Sequence, residues 1–206
     1  MAFFVFNHSP LKIPNARPCK YPNGHNNDCL AVLGILGDKR VSMNHLFIRF
    51  RKKTYDLSQR TLLMGALNVT PDSFSDGGCF FEGEKALEQG LRLAQGGADI
   101  LDIGGESTRP GAETLEEEEE KRRIIPLIRN LAREIEIPIS VDSRKASVAE
   151  EALEAGAEMI NDISALRFDN RMAEVVARWK VPVVLMHMRG NPQTMQLDTH
   201  YDDLLE

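Results

Sequence analysis

The residues in this sequence that could do chemistry follow short apolar segments, at the point where each segment ends. They are Asn68, the run Glu-Ser-Thr-Arg at 106–109, Asp142, Asn161 and His187. Amide, carboxylate and guanidinium groups in this mixture suit a polar heteroaromatic ligand that carries an anionic group. Any one of them alone could equally cap a helix or fix a loop, but polar groups at five successive segment ends indicate a common site. No Ser/His/Asp or Cys/His set has a spacing that suits nucleophilic catalysis.

The apolar segments that precede these residues predict β-strands, and the stretches between them predict amphipathic helices. The predicted strands are 62–68, 99–103, 139–142, 159–162 and 183–187. The predicted helices are 84–95, 116–134, 148–155 and 171–179. Strands that alternate with helices form a parallel sheet, and ligands bind outside the carboxyl ends of its strands. We therefore expect the polar residues to gather at one end of an α/β fold.

A weak internal repeat favours one α/β architecture, the (β/α)8 or TIM barrel. QGGADILDIGGES at 95–107 and EAGAEMINDISAL at 154–166 share a helix end, a Gly-Ala pair, an acidic residue, a strand and a polar exit. Repeated βα units of this kind are typical of barrels. The chain is expected to contain the first five units.

Helix boundaries also have sequence signals. Thr114 with Glu117 and Ser147 with Glu150 have the spacing of capping boxes, which predicts helix starts at these positions. Gly97 and Gly156 stand where the first and third of the predicted helices should end.

The chain divides into two parts by composition. Residues 1–44 contain Pro10, Pro14, Pro18 and Pro22, and are predicted to be an unassigned, poorly ordered extension. Residues 45–206 are predicted to be the barrel domain. Its first part, HLFIRFRKKTYDL at 45–57, alternates apolar and basic residues, which predicts a hairpin that covers one end of the core.

Composition limits the classes of function. Of 206 residues, 42% are apolar and 27% are charged, and no apolar run approaches the roughly 18 residues of a membrane span. A net charge of −6 argues against a nucleic-acid partner. The three cysteines, Cys19, Cys29 and Cys79, lack a C-x-x-C spacing, so neither a disulfide framework nor a zinc site is indicated. A cytoplasmic enzyme that acts on small molecules is expected.

Four segments resemble dihydropteroate synthase, an enzyme family of folate biosynthesis. They are LNVTPDSFSDGG at 67–78, DIGGESTRPG at 102–111, VDSRK at 141–145 and NDIS at 161–164. The first two are long and specific, and the resemblance runs from about residue 55 to 206. It implies a TIM barrel, a homodimer and the condensation of 6-hydroxymethyl-7,8-dihydropterin diphosphate with p-aminobenzoate. Pyrophosphate leaves with the assistance of Mg²⁺, and sulfonamides mimic the second substrate.

The resemblance also implies roles for individual residues. Asn68 would bind Mg²⁺ and the diphosphate, whereas Asp142 and Asn161 would hold the pterin ring; Asn68 and Asp142 are the expected catalytic residues. Other substrate contacts are implied by position in the matching motifs. These residues are Thr108 and Arg109 around the diphosphate and arylamine, Ser73, Phe74, Asp76 and Pro110 in the p-aminobenzoate pocket, and Met186 on the pterin or in the core. His187 has no implied role.

Two other functions are compatible with parts of this pattern. Pterin-binding domains of corrinoid methyltransferases also hold the ring with an aspartate and an asparagine, but they should not need the SFSDGG and ESTRPG segments. A non-catalytic chain that binds pterin or pairs with another barrel is the second alternative. The family's later lysine and arginine-histidine motifs would follow Glu206, so residues 1–206 alone are expected to be inactive, with both outer strands of the parallel sheet as open edges.

Overall fold

The computed structural model describes residues 3–6, 46–69, 79–106, 114–190, 194–195 and 200. Its strands are β1 Phe3–Phe6, β2 Phe47–Arg49, β3 Thr54–Asp56, β4 Met64–Asn68, β5 Ile100–Gly104, β6 Ile139–Asp142, β7 Met159–Asp162 and β8 Val183–Met186. Its helices are α1 Cys79–Gln95, α2 Glu117–Glu134, α3 Ala146–Ala155 and α4 Met172–Trp179.

The main sheet contains five parallel strands that lie in the order in which they occur in the chain, from β4 to β8. A doubly wound sheet would reverse its strand order at a switch point, whereas a barrel adds each strand beside the last. The predicted βα units are therefore confirmed, and their order is that of a partial α/β barrel.

The strands present alternate residues to two different apolar clusters. Leu101, Ile103, Val141 and Ile160 pack with the apolar stripe of α2, which includes Ile128. This cluster is the main core, and the buried positions of α2 recur at the spacing of one helix face.

The opposite face of the sheet carries a smaller cluster at the amino ends of the strands. There Ile100, Met159 and Val184 pack against Ile48 and Tyr55 of the β2–β3 hairpin. The hairpin pairs antiparallel around a turn at residues 51–53, as the sequence predicted. Side chains alternate along a strand, so the residues two positions after Ile100, Met159 and Val184 lie on the same face of the sheet. They lie past the part of this face that the hairpin covers.

The outer strands of the parallel sheet differ from the expectation of two open edges. Phe3–Phe6 pairs antiparallel with β8, so that edge is covered by four residues of the predicted extension. Among the described residues no strand pairs with the outer edge of β4, where a groove of about 570 Å³ lies between β4 and α1. None of the helices in the described ranges has the length and apolarity to cross a membrane.

Helix ends were predicted only in part. Gly97 and Gly156 follow α1 and α3 with positive φ, as expected for residues that end a helix. The capping boxes are wrong, because Glu116 and Lys145 occupy the N-cap positions of α2 and α3 and neither makes a side-chain cap. Helix α1 also begins five residues before the predicted start.

Candidate functional site

Four neighbouring strands place residues at or next to their carboxyl ends in one row. Asn68 on β4 pairs with Gly104, Gly104 pairs with Asp142, and Asp142 pairs with Asn161. The row lies at the carboxyl ends of the strands, where parallel sheets bind ligands. The structure therefore brings together three residues that the sequence singled out, and Gly104 lies between two of them.

Gly104 leaves a small space over the sheet that is bordered by two oxygen atoms. A Cβ atom placed on Gly104 would lie 3.4 Å from Asn68 Oδ1 and 3.4 Å from Asp142 Oδ2. Both oxygens thus face the same space, which a glycine keeps free. An amide oxygen and a carboxylate oxygen are hard donors of the kind that Mg²⁺ prefers.

One residue of the site was missed in the sequence. Asp102 lies two positions before Gly104, on the same face of β5, and only 8% of it is exposed. Its Oδ2 accepts a hydrogen bond of 3.0 Å from Asn161 Nδ2. The bond fixes the amide of Asn161, so the orientation of this predicted ligand-binding group depends on Asp102. The sequence did contain a signal for this residue, since Asp102 is a carboxylate inside an otherwise apolar strand.

Three buried polar atoms at the base of the site have no hydrogen-bond partner among the described residues. They are Asp102 Oδ1, Asn161 Oδ1 and the Ser140 hydroxyl. Most buried polar atoms in proteins are paired, so a group of unpaired atoms on one face indicates that a ligand or water supplies the missing partners. Asn161 Oδ1 can only accept, and so can Asp102 Oδ1 when the carboxyl is ionised; both then favour a ligand with N–H donors.

Burial and neighbouring charges favour the protonated forms of the two site carboxyls. Burial is the largest cause that raises the pKa of Asp142 well above its ordinary value, and the charges of Asp102, Glu120, Asp162 and Glu106 add to it. Burial also raises the pKa of Asp102, against opposing effects of Ser140 and Asn161. Of these two, only the Asn161 amide makes a well-formed hydrogen bond. A ligand that donates hydrogen bonds or carries positive charge would relieve this strain.

The other predicted residues divide into two groups. Met186 is 2% exposed and lies two positions after Val184, so it continues the face that carries the site. His187 is exposed just beyond β8. The remaining predicted contacts lie outside the described residues: Ser73, Phe74, Asp76, Thr108, Arg109 and Pro110.

A buried ion cluster beside the site was also missed. Lys145 contacts Glu106 and Glu120, and Arg144 contacts Glu106 from the other side. Lys145 lies in the VDSRK segment and Glu106 in the ESTR run, but neither spacing predicted that they meet. In the part of the chain that the structure describes, no group of three or more His, Cys, Asp or Glu residues is arranged to hold a metal ion.

Curated relatives and solved structures agree with the resemblance. The chain is 54% identical over 151 residues to the dihydropteroate synthase of Synechocystis, and 49% identical over 158 residues to that of Bacillus subtilis. These alignments cover 73% and 77% of this chain, but 52% and 53% of the relatives. The chain thus spans about half the length of the curated relatives that it matches.

Two solved structures show the same fold over the same part of the chain. Yersinia pestis dihydropteroate synthase in a sulfonamide drug complex has a TM-score of 0.70 and 47% identity, with 78% of this chain and 57% of that chain covered. The Xanthomonas albilineans enzyme with 4-aminobenzoic acid has a TM-score of 0.69 and 49% identity, with 77% and 55% covered. The five parallel strands and four helices described above are therefore part of a TIM barrel.

The family follows from the extent of the sequence match and from the agreement of the site with it. The family model described as "Pterin binding enzyme" matches residues 64–206, which include every described residue of the site. The match begins with β4 and leaves out the hairpin and the residues before it. On this basis the chain belongs to the pterin-binding enzyme family.

Proposed function

We propose that this chain acts in dihydropteroate synthesis, a transferase reaction that joins 6-hydroxymethyl-7,8-dihydropterin diphosphate to p-aminobenzoate. The observation that carries the proposal is the row Asn68–Gly104–Asp142–Asn161, with buried unpaired acceptors beneath it. In the reaction the pterin C–O bond breaks, a C–N bond to the arylamine forms, and pyrophosphate leaves. The amine nitrogen loses one proton in the same sequence of steps.

The pterin ring fits the inner part of this row. Its amino group and ring N–H are donors, and Asp102 Oδ1 and Asn161 Oδ1 are buried acceptors that lack partners. Asp142 would face the ring from the next strand. Its pKa is raised because its negative charge is buried beside other carboxylates, so a ligand that donates a hydrogen bond or carries positive charge would stabilise the ionised form. As the C–O bond breaks, positive charge spreads into the pterin, and a carboxylate held in place at that point would stabilise it.

The outer part of the row fits a hydrated Mg²⁺ ion. Mg²⁺ usually keeps several waters and uses one or two protein oxygens together with substrate phosphates. Asn68 Oδ1, beside the space over Gly104, would be the protein ligand, and Asp142 Oδ2 borders the same space. A bound ion would neutralise charge on the departing diphosphate. The side chain of Asn68 would hold it at the end of the row that is furthest from Asn161.

Other parts of the proposal follow the resemblance. Thr108 and Arg109 would contact the diphosphate and arylamine, while Ser73, Phe74, Asp76 and Pro110 would line the p-aminobenzoate pocket. Met186 would pack against the pterin from the face that it shares with Asn161. A cytoplasmic location and a homodimer belong to the same proposal. Pterin binding for corrinoid methyl transfer is disfavoured, because the SFSDGG and ESTRPG segments would have no diphosphate to serve.

The metal assignment gives a direct test. In a chain that contains the whole barrel, replacing Asn68 by alanine should weaken Mg²⁺-dependent binding of pterin diphosphate about tenfold, because one oxygen ligand and its charge-assisted contact are lost. Binding of the free pterin should change little, since its partners lie on β5–β7. Isothermal titration with and without Mg²⁺ measures both affinities.

The matched control is Asn130→Ala, which removes an exposed amide on α2, away from the row. It should leave both ligands unaffected. Equal losses for pterin and pterin diphosphate in Asn68→Ala would mean that the residue only shapes the strand end. If the unmodified chain with the whole barrel binds neither ligand, the proposed function is wrong.

A second substitution tests the space over Gly104. In Gly104→Ala the new methyl group would meet its nearest atoms at 3.4 Å, an ordinary van der Waals distance, so the protein should fold normally. The methyl would stand between Asn68 Oδ1 and Asp142 Oδ2, where we place the metal and the diphosphate.

The affinity for pterin diphosphate should therefore fall about tenfold or more, as when a ligand loses a charge-assisted contact. The free energy of unfolding should change by less than about 1 kcal/mol, as for a tolerated substitution. Titration calorimetry and urea denaturation measure the two effects. Undiminished affinity in a normally folded variant would show that the ligand does not use this space.

A further inference from the structure

Asp162 is a fully buried carboxylate at the end of β7, directly after Asn161. Its Oδ1 accepts hydrogen bonds from the backbone N–H and the hydroxyl of Ser164, at 2.8 Å and 2.7 Å, and its Oδ2 accepts one of 2.8 Å from the backbone N–H of Leu166. A buried charge persists only when polar partners surround it, and these partners belong to the residues that follow the strand. Asp162 therefore fixes the course of the β7 loop, residues 163–168, where the chain leaves the sheet.

Two residues of the β7 loop have a strained backbone. Ala165 and Leu166 have φ of 53° and 63°, in the left-handed region that residues with a side chain rarely adopt. The Ala165 N–H donates to the carbonyl oxygen of Asp162 at 3.1 Å, and the Phe168 N–H donates to the Ser164 hydroxyl at 3.1 Å. Strain of this kind persists only where surrounding interactions determine the conformation, and it occurs mainly at functional sites. At this position the interactions converge on Asp162.

The β7 loop also contacts the chain beyond both neighbouring strands. On the β6 side, the Phe168 ring stacks on the guanidinium of Arg144, whose Cζ lies 4.2 Å from the ring centroid. On the β8 side, Arg167 Nη2 donates to the carbonyl oxygen of Met188 at 3.0 Å. Because β6 and β8 lie on either side of β7 in the sheet, the loop joins the exits of three neighbouring strands.

Each of these points lies close in the chain to a residue of the site. Arg144 comes two positions after Asp142, and Met188 comes two positions after Met186. The β7 loop itself begins two positions after Asn161. Groups that bind a ligand precisely need neighbours that hold them in place, and the contacts of the β7 loop do this for the ends of all three strands.

We propose that Asp162 is a positioning residue that keeps the pterin-facing ends of β6, β7 and β8 in register by holding the β7 loop in its strained form. The inference rests on the proposed function for the identity of the ligand. Successive side chains of a strand point to opposite faces, so Asp162 faces away from the side on which Asn161 would meet the pterin. The effect of Asp162 therefore reaches the ligand through the loop.

The test uses Asp162→Asn in a chain that contains the whole barrel. The asparagine oxygen should stay on the side with two donors from Ser164, so its NH₂ group would face the Leu166 N–H, which loses its acceptor. Exchange of the Leu166 amide hydrogen should become about tenfold faster or more, the factor expected for loss of a hydrogen bond to a charged group. The Ser143 N–H, which donates to the Asn161 carbonyl at 3.2 Å, should also exchange faster, because the strand ends would open more often. Amides in the middle of α2 should exchange as before.

The affinity for free pterin supplies the second measurement. If the binding-competent arrangement of the strand ends falls to about a tenth of the molecules, the apparent affinity falls about tenfold. Burial is the main cause that raises the pKa of Asp142, and the charge of Asp162 adds to it. Loss of that charge alone would make Asp142 easier to ionise and favour a ligand that donates hydrogen bonds. A higher affinity in Asp162→Asn would therefore overturn the inference, because Asp162 would then act through its charge.

Two further variants separate positioning from stability. Leu131→Ala removes a fully buried side chain of α2, which lowers the stability of the main core, and the folded variant should bind pterin as the unmodified chain does. Arg167→Met keeps Asp162 and removes the link to Met188, so it tests the loop if Asp162→Asn does not fold. Its affinity for pterin should fall about threefold, a smaller loss because Arg167 is exposed.

Unchanged pterin affinity in folded Asp162→Asn, or in Arg167→Met if the first variant does not fold, would overturn the inference. A loss of equal size in Leu131→Ala would also overturn it, since Asp162 would then have only a structural role. If the unmodified chain with the whole barrel does not bind pterin, the proposed function fails. The exchange of the Ser143 amide then decides alone whether Asp162 holds the strand ends.

Discussion

Asp142→Asn is expected to lower turnover by about 100-fold, the range found when a preorganised electrostatic partner is removed from an active site. The pterin Michaelis constant should rise far less, because asparagine keeps the shape and much of the hydrogen bonding of aspartate. The charge of Asp142 matters most when cationic character develops in the pterin, which affects the transition state more than the bound substrate.

The assay needs a chain that contains the whole barrel. A suitable one carries residues 1–206 followed by the C-terminal part of the Synechocystis synthase, with the unmodified hybrid as reference. Steady-state rates with both substrates and Mg²⁺ separate kcat from KM. A raised Michaelis constant at unchanged turnover would contradict the electrostatic role of Asp142 and leave it a binding role only.

The same substitution should stabilise the folded protein at neutral pH. Burial and four neighbouring carboxylates raise the pKa of Asp142 well above the ordinary 3.8, so between these two pKa values the folded state binds more protons than the unfolded state. Stability contributed by this group is therefore lost as the pH rises through that window. Asparagine does not ionise and escapes the loss.

Urea denaturation at several pH values measures this effect. Asp142→Asn should be more stable than the unmodified protein at pH 7, and the difference should shrink as the pH falls to the ordinary pKa of 3.8 and below, where the aspartate becomes protonated in the unfolded state as well. A variant that is less stable at pH 7 would show that Asp142 holds the fold together as an ion. Higher stability with lower turnover is the expected sign of a residue placed for catalysis.

Gly156→Ala is expected to cost about 3 kcal/mol of unfolding free energy, from backbone strain and overpacking together. Gly156 ends α3 with φ of +125°, a conformation that residues with a side chain rarely adopt. A Cβ atom there would also lie 2.6 Å from Ala132 Cβ on α2. The turn that it forms leads directly into β7, which carries Asn161.

Gly83→Ala is the matched control for this prediction. Gly83 lies within α1, and a Cβ atom there would have no neighbour within 4 Å. Alanine at such a position should stabilise the protein by about 0.5–1 kcal/mol, because it favours the helix and lowers the entropy of the unfolded chain. Urea denaturation of both variants measures the difference, and a Gly156 variant as stable as the Gly83 variant would contradict the strain described here.

Sequence periodicity determined the parts of this protein that depend on local patterns. Apolar segments alternating with amphipathic helices predicted the βα units, and the carboxyl ends of parallel strands meet at one edge whatever the details of packing. Asn68, Asp142 and Asn161 could be found for that reason. The hairpin was also predictable, since its alternating residues and its turn are adjacent in the chain.

Asp102 and Lys145 became visible only in the tertiary structure. Asp102 stands in a buried strand, and one strand alone does not reveal which face carries the ligand and which carries the helices. Register across β5, β6 and β7 decides this, because it places Asp102 beneath Asn161. Lys145 precedes a helix, and only the packing of α2, which supplies Glu120 as a partner, shows that it is buried and paired.

The capping boxes show most directly how tertiary contacts replaced local ones. Ser147 donates its hydroxyl hydrogen to Glu117, so residues from the two predicted boxes bond to each other across α3 and α2. Glu150 pairs with Arg178 of α4 at 2.5 Å, and Thr114 accepts from Arg144. A helix cap stabilises by about 1 kcal/mol, which a charge-assisted bond between packed helices can match or exceed. The sequence by itself determined where helices and strands occur, and the packing of the helices and loops against one another decided which polar groups pair.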